Sequence, residues 1–300
     1  MFNDQKYWEL IEKKKLIELR LVDIALHSKG ISEYLGDTNT ARWFGIAWSI
    51  DDVVYDGINY DAGFMYCEPA REYEVENQKL YKNLVSEITL FTYLYSGLES
   101  YISGLNLERC PANRGKINAA TYFISNNLSE FNFEMELYSE ILSLAAEMYT
   151  LIFDDGFDSL LGQDDQCCNL YGRGIRLLYK VRNKLMHGDF FFPEPLDYGT
   201  ILPFHPELIN LTSRLILLGM QILIIANERM GLEDNATLLD SVFLKEQSNP
   251  SKYCDEREDC DDIGCNSCYY FTFNRRSYLN NLHIKNHDFT ELQSSINFSV

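Results

Sequence analysis

The chain has 300 residues, of which 46% are hydrophobic and 24% are charged, so it can bury a large core, and wholesale disorder is excluded. Its formal net charge of −19 repels nucleic acid at long range, so a nucleic-acid function requires a local basic patch. The most apolar run, residues 215–226, is too short to span a bilayer, and the first residues contain no apolar signal core. These features predict a cytoplasmic protein that has no membrane partner.

The first predicted element is a helix over about residues 6–27, a charged segment that is rich in leucine and isoleucine. Residues 31–70 then carry Trp43, Trp48 and turn signals such as Gly36-Asp37 and Asp56-Gly57, which favour short strands or irregular structure. We therefore expect residues 1–71 to form an N-terminal helix that is followed by an irregular or short-strand segment.

Four amphipathic helices follow this segment, because apolar residues recur at steps of three and four. The expected helices are Leu84–Leu105, Leu137–Leu151 with a stop at Asp154-Asp155-Gly156, Gly172–His187 and Pro206–Met230. The fourth is apolar nearly all round and ends at Gly231, so we expect it at the centre of the assembly. The pattern predicts a mainly α protein with an antiparallel four-helix bundle over residues 72–232 and a Cys/His-rich C-terminal extension over residues 233–300.

The third helix carries an arginine on its apolar side. On a helical wheel its apolar arc consists of Ile175, Leu178, Tyr179, Leu185 and Met186. Arg182 falls inside that arc. Four other basic residues lie on the opposite side and are candidate RNA-binding residues: Arg173, Arg176, Lys180 and Lys184.

A guanidinium on a core-facing arc is costly unless a partner satisfies it, and it does not lose its proton. Three explanations remain open: Arg182 pairs with Glu99, Glu140 or Glu147, it lies at a subunit interface, or it holds an anion such as a phosphate in a cleft. Between residues 166 and 188 there are five Lys and Arg residues and no acidic residue. A positive patch on an acidic body favours binding of a phosphate.

A histidine ends the same helix. Gly188 can adopt the left-handed conformation that terminates a helix, which places His187 in the last turn. On an ideal helix the side chains of Arg182 and His187 point about 140° apart. The two residues therefore act together only if the helix distorts or if a second subunit supplies its own copy.

The segment RNKLMHG, from Arg182 to Gly188, resembles the Arg-polar-x(3–5)-His motif of the HEPN superfamily (higher eukaryotes and prokaryotes nucleotide-binding). It looks most like the Apea-like HEPN branch, which occurs in phage-defence and abortive-infection proteins, and the resemblance extends over about residues 72–231. It implies a HEPN-like helical bundle that forms a homodimer with two facing motifs. It also implies a defence or toxin effector that an antitoxin or another defence partner controls.

The activity that this resemblance implies is a metal-independent endoribonuclease. Arg182 would bind the scissile phosphate, His187 would act as general acid or base, and Asn183 would orient the pair or the substrate. One imidazole can take the proton of the attacking 2′-OH while a second protonates the leaving 5′-oxygen. The products would be 2′,3′-cyclic phosphate and 5′-hydroxyl ends, and catalysis would need no cofactor.

The C-terminal extension contains the segment CDEREDCDDIGCNSC and predicts a structural zinc site. The spacing fits a two-Cys, two-His site with the ligands Cys265, Cys268, His283 and His287. A four-cysteine site that uses Cys254 and Cys260 is the alternative, and an unliganded, loop-rich extension is a third interpretation. Eight cysteines in a chain expected to be cytoplasmic favour buried thiols or metal ligands over disulfides.

Two other functions fit the same sequence. A catalytically silent HEPN-type module would bind a nucleotide or a partner protein without cutting RNA. A zinc-containing nucleic-acid-binding or scaffold protein would act through its C-terminal extension instead of through Arg182 and His187.

Overall fold

Helices make up most of the protein in the computed structural model, which describes residues 4–57, 67–111, 115–128, 134–135, 137–154, 168–199, 202–247 and 284–285. The helices in these ranges are α1 (Asp4–Glu18), α2 (Ile24–Leu35), α3 (Asn39–Ser49), α4 (Glu68–Gly104), α5 (Lys116–Leu128), α6 (Tyr138–Phe153), α7 (Leu170–His187) and α8 (His205–Gln247). Two short strands, β1 (Glu134–Met135) and β2 (Ile284–Lys285), pair antiparallel. The mainly α fold class is confirmed.

Two helices, α2 and α3, occupy much of the region in which the sequence predicts short strands or irregular structure, so that prediction is wrong there. The helices start at side-chain caps. Asp23 Oδ1 accepts a hydrogen bond from the Ala25 amide at 2.8 Å, and Thr38 Oγ1 accepts one from the Ala41 amide at 3.0 Å. The Asp23 cap also separates α1 from α2, where the sequence predicts one helix over residues 6–27.

The helices predicted from the apolar spacing are present as α4, α6, α7 and α8. Helix α4 is longer than expected because it starts at Glu68, next to Pro69 in its first turn. Helix α6 ends at Phe153 and is followed by Asp154, the first residue of the predicted stop, which adopts a left-handed conformation with a φ of 49°. Helix α5, Lys116–Leu128, was not predicted; it packs against α7 and α8.

The last helix, α8, is the centre of the structure, as its apolar composition predicts. It packs against α2, α4, α5, α6 and α7, and nearly every side chain from Phe204 to Ala226 is buried. The segment His205–Asn227 is long and apolar enough to cross a membrane, but 94% of its most apolar part is buried inside the protein, as in a core helix. The predicted end at Gly231 is wrong, because the helix continues to Gln247.

A close approach between α6 and α7 fixes the position of α7. The Tyr138 hydroxyl donates a hydrogen bond to the Tyr171 carbonyl oxygen at 2.8 Å. A Cβ atom at Gly174 would overlap that hydroxyl and would lie 2.8 Å from Tyr138 Cζ. Only glycine at this position lets the tyrosine reach the backbone of the neighbouring helix.

Candidate functional site

Both ends of α7 are defined by its own sequence. At the start, Asn169 Oδ1 accepts a hydrogen bond from the Gly172 amide at 3.0 Å. At the end, Gly188 adopts the predicted left-handed conformation, with a φ of 77°. His187 is therefore the last helical residue, and its side chain is exposed to solvent.

The buried face of α7 is rotated relative to the predicted arc. It consists of Gly172, Gly174, Ile175, Leu177, Leu178 and Val181. Two residues of the predicted arc, Tyr179 and Met186, are 43% and 53% exposed, so their placement in the core was wrong. Arg182 lies between these two residues on the helix surface and is half-buried. It occupies the edge of the packed interface and not the core.

The Arg182 guanidinium is bound by its neighbour in the motif. Its Nη1 donates a hydrogen bond to Asn183 Oδ1 at 3.3 Å. Within the described ranges Arg182 forms no ion pair with a carboxylate, and of the proposed acidic partners Glu147 is paired with Lys6 and Glu140 is exposed. Among the described residues, an ion pair with one of these acids therefore does not explain why an arginine is present at position 182.

Glu99, the third proposed acidic partner, and Arg182 both lie near the Tyr95 hydroxyl. Tyr95 is buried on α4, and its hydroxyl has no hydrogen-bond partner among the residues that are described. Burial and the charge of Glu99 raise the pKa of Tyr95, whereas the charge of Arg182 acts in the opposite direction. Tyr95 is a buried polar group near Arg182 that the sequence did not single out, because it occupies an apolar position of the α4 seam.

Asn183 binds Arg182 and lies on the same stripe of α7 as His187. Residues 173, 176, 180, 183 and 187 follow one another at steps of three and four, so they form one stripe along α7. The hydrogen bond to Asn183 directs the Arg182 guanidinium toward this stripe. The helix is regular through His187, so no helix distortion reduces the angle of about 140° between Arg182 and His187.

The predicted RNA-binding residues are less open than a solvated basic face. Arg173, Arg176 and Lys180 are half-buried and each interacts with other groups of the protein. Lys180 Nζ lies 5.8 Å from the ring centroid of Tyr149 on α6. Lys184 Nζ lies 5.4 Å from the ring centroid of Phe153 and 4.0 Å from Asp189 Oδ2. Lys180 and Lys184 thus pack against aromatic rings of α6, on a different face of α7 from Arg182.

A second histidine, His205, lies behind the end of α7 and is not part of the exposed site. It is 1% exposed and packs edge-to-face on Phe190, with 5.0 Å between ring centroids. Neither ring nitrogen has a hydrogen-bond partner in the described part of the protein. Burial lowers the pKa of His205 to about 4, so the ring is neutral and serves as a packing group.

The predicted zinc ligands lie outside the described residues: Cys254, Cys260, Cys265, Cys268, His283 and His287. Within the described residues no group of three or more His, Cys, Asp and Glu side chains could hold a metal ion. Cys67 and Cys168 are free thiols, but Cys110 is disulfide-bonded, so the expectation of thiols or metal ligands in place of disulfides is wrong at Cys110.

The chain was also compared with models of known protein families, with curated proteins and with solved structures. None of these comparisons found a match.

Proposed function

We propose that this protein is a metal-independent endoribonuclease of the HEPN type, which acts as a homodimer. The observation that carries the proposal is the state of Arg182: it is half-buried at the edge of the fold, bonded to Asn183 and without an acidic partner among the described residues. A guanidinium held in this way has donors left for an anion.

The arrangement of helices supports a HEPN-like bundle. The four helices predicted from the sequence correspond to α4, α6, α7 and α8, and α8 packs against the other three. The motif lies at the end of α7, where the chain leaves the bundle. Helix α5 adds a fifth member, and the segment before α4 adds three shorter helices.

The proposed chemistry assigns one task to each motif residue. Arg182 binds the phosphate and offsets the charge that builds up on it in the transition state. His187 transfers a proton, and its copy in the second subunit performs the complementary transfer, so that the 2′-OH attacks and the 5′-oxygen leaves. Asn183 is a positioning residue that turns the guanidinium toward His187. The cut ends are a 2′,3′-cyclic phosphate and a 5′-hydroxyl.

The acidic charge of the protein limits RNA binding at the proposed site to close contacts. With a net charge of −19, the protein repels RNA at long range, so binding depends on short-range contacts with Arg182 and the basic side of α7. In a dimer two copies of this region would lie side by side and double the local positive charge. We propose a defence or toxin effector in the cytoplasm, whose antitoxin or defence partner restrains it.

The test is cleavage of labelled RNA by the purified full chain in excess EDTA. We expect cleavage to persist and the ends to carry 2′,3′-cyclic phosphate. Arg182→Ala and His187→Ala should each lower kcat at least about a hundredfold. Arg42→Ala, which removes an exposed arginine on α3, is the matched control and should leave cleavage unchanged.

Two substitutions at Asn183 test its positioning role. Asn183→Leu removes the acceptor for Arg182 and should lower kcat about tenfold. Asn183→Asp keeps the acceptor but adds a charge that repels phosphate, so it should mainly raise KM. All variants should melt within a few degrees of the wild type, because the site lies at the edge of the core.

Other outcomes would identify the rival functions. A protein that binds RNA or nucleotide but does not cut RNA in any buffer is a silent binding module. Cleavage that EDTA abolishes, or that Cys265→Ser abolishes while His187→Ala does not, places the activity in a metal-dependent C-terminal extension. Products with 3′-hydroxyl ends exclude attack by the 2′-OH.

A further inference from the structure

A row of aromatic side chains lies on the surface just beyond the end of α7. It is formed by three segments of the chain, and its members, here called the aromatic strip, are Tyr55, Tyr73, Tyr81, Phe192 and Tyr198. The ring centroid of Tyr81 lies 5.9 Å from that of Tyr55 and 5.9 Å from that of Phe192. The rings of Tyr73 and Tyr198 are 5.0 Å apart. The strip therefore connects the first half of α4 to residues 51–57 and residues 188–199.

Two rings of the strip, those of Phe192 and Tyr198, are exposed on a backbone that is held in place, and Tyr55, Tyr73 and Tyr81 are half-buried. Phe192 is 70% exposed and Tyr198 is 45% exposed, and the adjacent Phe191 is 65% exposed. Pro193 and Pro195 are buried, and the Pro195 carbonyl oxygen accepts a hydrogen bond from the Tyr198 amide at 2.9 Å. Large exposed rings on a fixed backbone are typical of a surface that another molecule covers.

Carboxylates flank the strip. Burial and the charges of Glu194 and Glu74 raise the pKa of Tyr73, and the same two carboxylates act on Tyr81. Neither Glu74 nor Glu194 forms an ion pair with a described residue, nor does Asp197, which precedes Tyr198. These carboxylates are free to bind a cation from another molecule.

The cations of α4 next to the strip already have partners. Lys79 Nζ lies 2.7 Å from Glu76 Oε1, and Lys82 Nζ lies 3.2 Å from Asp52 Oδ2. The surface around the aromatic strip is therefore acidic as well as aromatic. An acidic surface repels phosphates, which disfavours RNA as the molecule that covers it.

We propose that the aromatic strip and its flanking carboxylates form a docking site for an arginine-rich segment of a partner protein. A guanidinium stacks on a ring face and at the same time donates paired hydrogen bonds to a carboxylate. An ammonium group provides only a point charge, so arginine is favoured over lysine. This interaction surface does not depend on whether the protein cuts RNA.

The test measures fluorescence anisotropy of a labelled peptide of alternating arginine and serine with the full chain, at about 0.15 M ionic strength. We expect saturable binding that is at least about fivefold tighter than that of the matching lysine–serine peptide. Phe192→Ala and Tyr198→Ala keep the net charge and should each weaken arginine-peptide binding about tenfold. Trp8→Ala removes a ring that is 53% exposed on α1 and should change nothing.

The carboxylates are tested in the same way. Glu194→Gln should weaken binding, whereas Glu12→Gln, which removes a charge from α1, should not. The proposal is overturned if Phe192→Ala binds the peptide like the wild type, since general attraction to an acidic protein would then suffice. It is also overturned if the strip binds labelled oligouridylate and loses it in Phe192→Ala, or if Phe192→Ala only changes self-association of the chain in sedimentation.

Discussion

His187 and His205 lie on either side of the loop after α7. The side chain of His187 is exposed to solvent, whereas that of His205 is buried. The sequence located His187 correctly at the end of a helix, because Gly188 marks that end. His205 lies between Phe204 and Pro206 at the start of α8, where it is buried. The depth of burial of His205 depends on its contact with Phe190, which is a tertiary contact that local sequence does not determine.

His205 should make the protein less stable in acid. Its folded-state pKa of about 4 lies below the usual value of 6.5, so the unfolded chain binds a proton at this residue at a higher pH than the folded protein does. The free energy of unfolding therefore has its full value above pH 6.5 and falls as the pH falls toward 4. The loss amounts to about 3 kcal/mol at most. His205→Leu should therefore have a free energy of unfolding that falls less than that of the wild type between pH 7 and pH 4.

The measurement is urea unfolding at a series of pH values. The difference between wild type and His205→Leu isolates this histidine from Glu87 and Glu207, whose pKa values are raised by burial and which act in the opposite direction. A difference that stays constant with pH would show that His205 is protonated equally in the folded and unfolded states.

Among the helices, periodicity predicted those with one continuous buried seam. Helices α4 and α6 are of this kind, and α6 also ends at its predicted stop. For α2 and α3 the tryptophans and turn signals suggested strands, although the caps Asp23 and Thr38 were visible in the sequence. In α7 the predicted arc was misplaced because Gly172 and Gly174 have no apolar side chain to count, yet both belong to the buried face.

Gly174→Ala should destabilise the protein by about 1–3 kcal/mol or more, because the added methyl group overlaps the Tyr138 hydroxyl and forces α6 and α7 apart. Gly104→Ala is the matched control, since nothing lies within 4 Å of its added Cβ, and it should be neutral or slightly stabilising. Thermal unfolding measures both variants.

The overlap itself is tested by a double-mutant cycle. Tyr138→Phe removes the oxygen that lies nearest the new methyl group. This substitution should therefore lower the free energy of unfolding less in the Gly174→Ala background than in the wild type. Strictly additive effects would mean that α7 tolerates the methyl group by another shift.

For the whole molecule, the spacing of apolar residues predicted the helical class, and the apolar composition of α8 predicted its central position. Assembly of two copies is beyond what either can predict. A net charge of −19 makes two copies repel each other. Salt screens this repulsion and should strengthen a dimer, whereas the same salt weakens contacts to phosphate. Added salt should therefore favour formation of the proposed composite site and weaken its binding of RNA.

Mixing variants tests whether two imidazoles are needed at one site. Wild type and His187→Ala are mixed in equal amounts and left to exchange subunits. If mixed dimers are inactive, the cleavage rate should be about one quarter of the rate of the same total amount of wild type. Independent subunits would give about one half. Sedimentation of the mixture establishes that dimers form, and a value near one half would contradict the composite site.

The central position of α8 has a consequence for synthesis on the ribosome. Five earlier helices pack on a segment that is translated after all of them, so their apolar faces stay without their final partner while the nascent chain grows. Translation that stops before residue 205 would release a polypeptide with those faces uncovered. Such a fragment should aggregate or be bound by chaperones, which makes completion of the chain a precondition for folding.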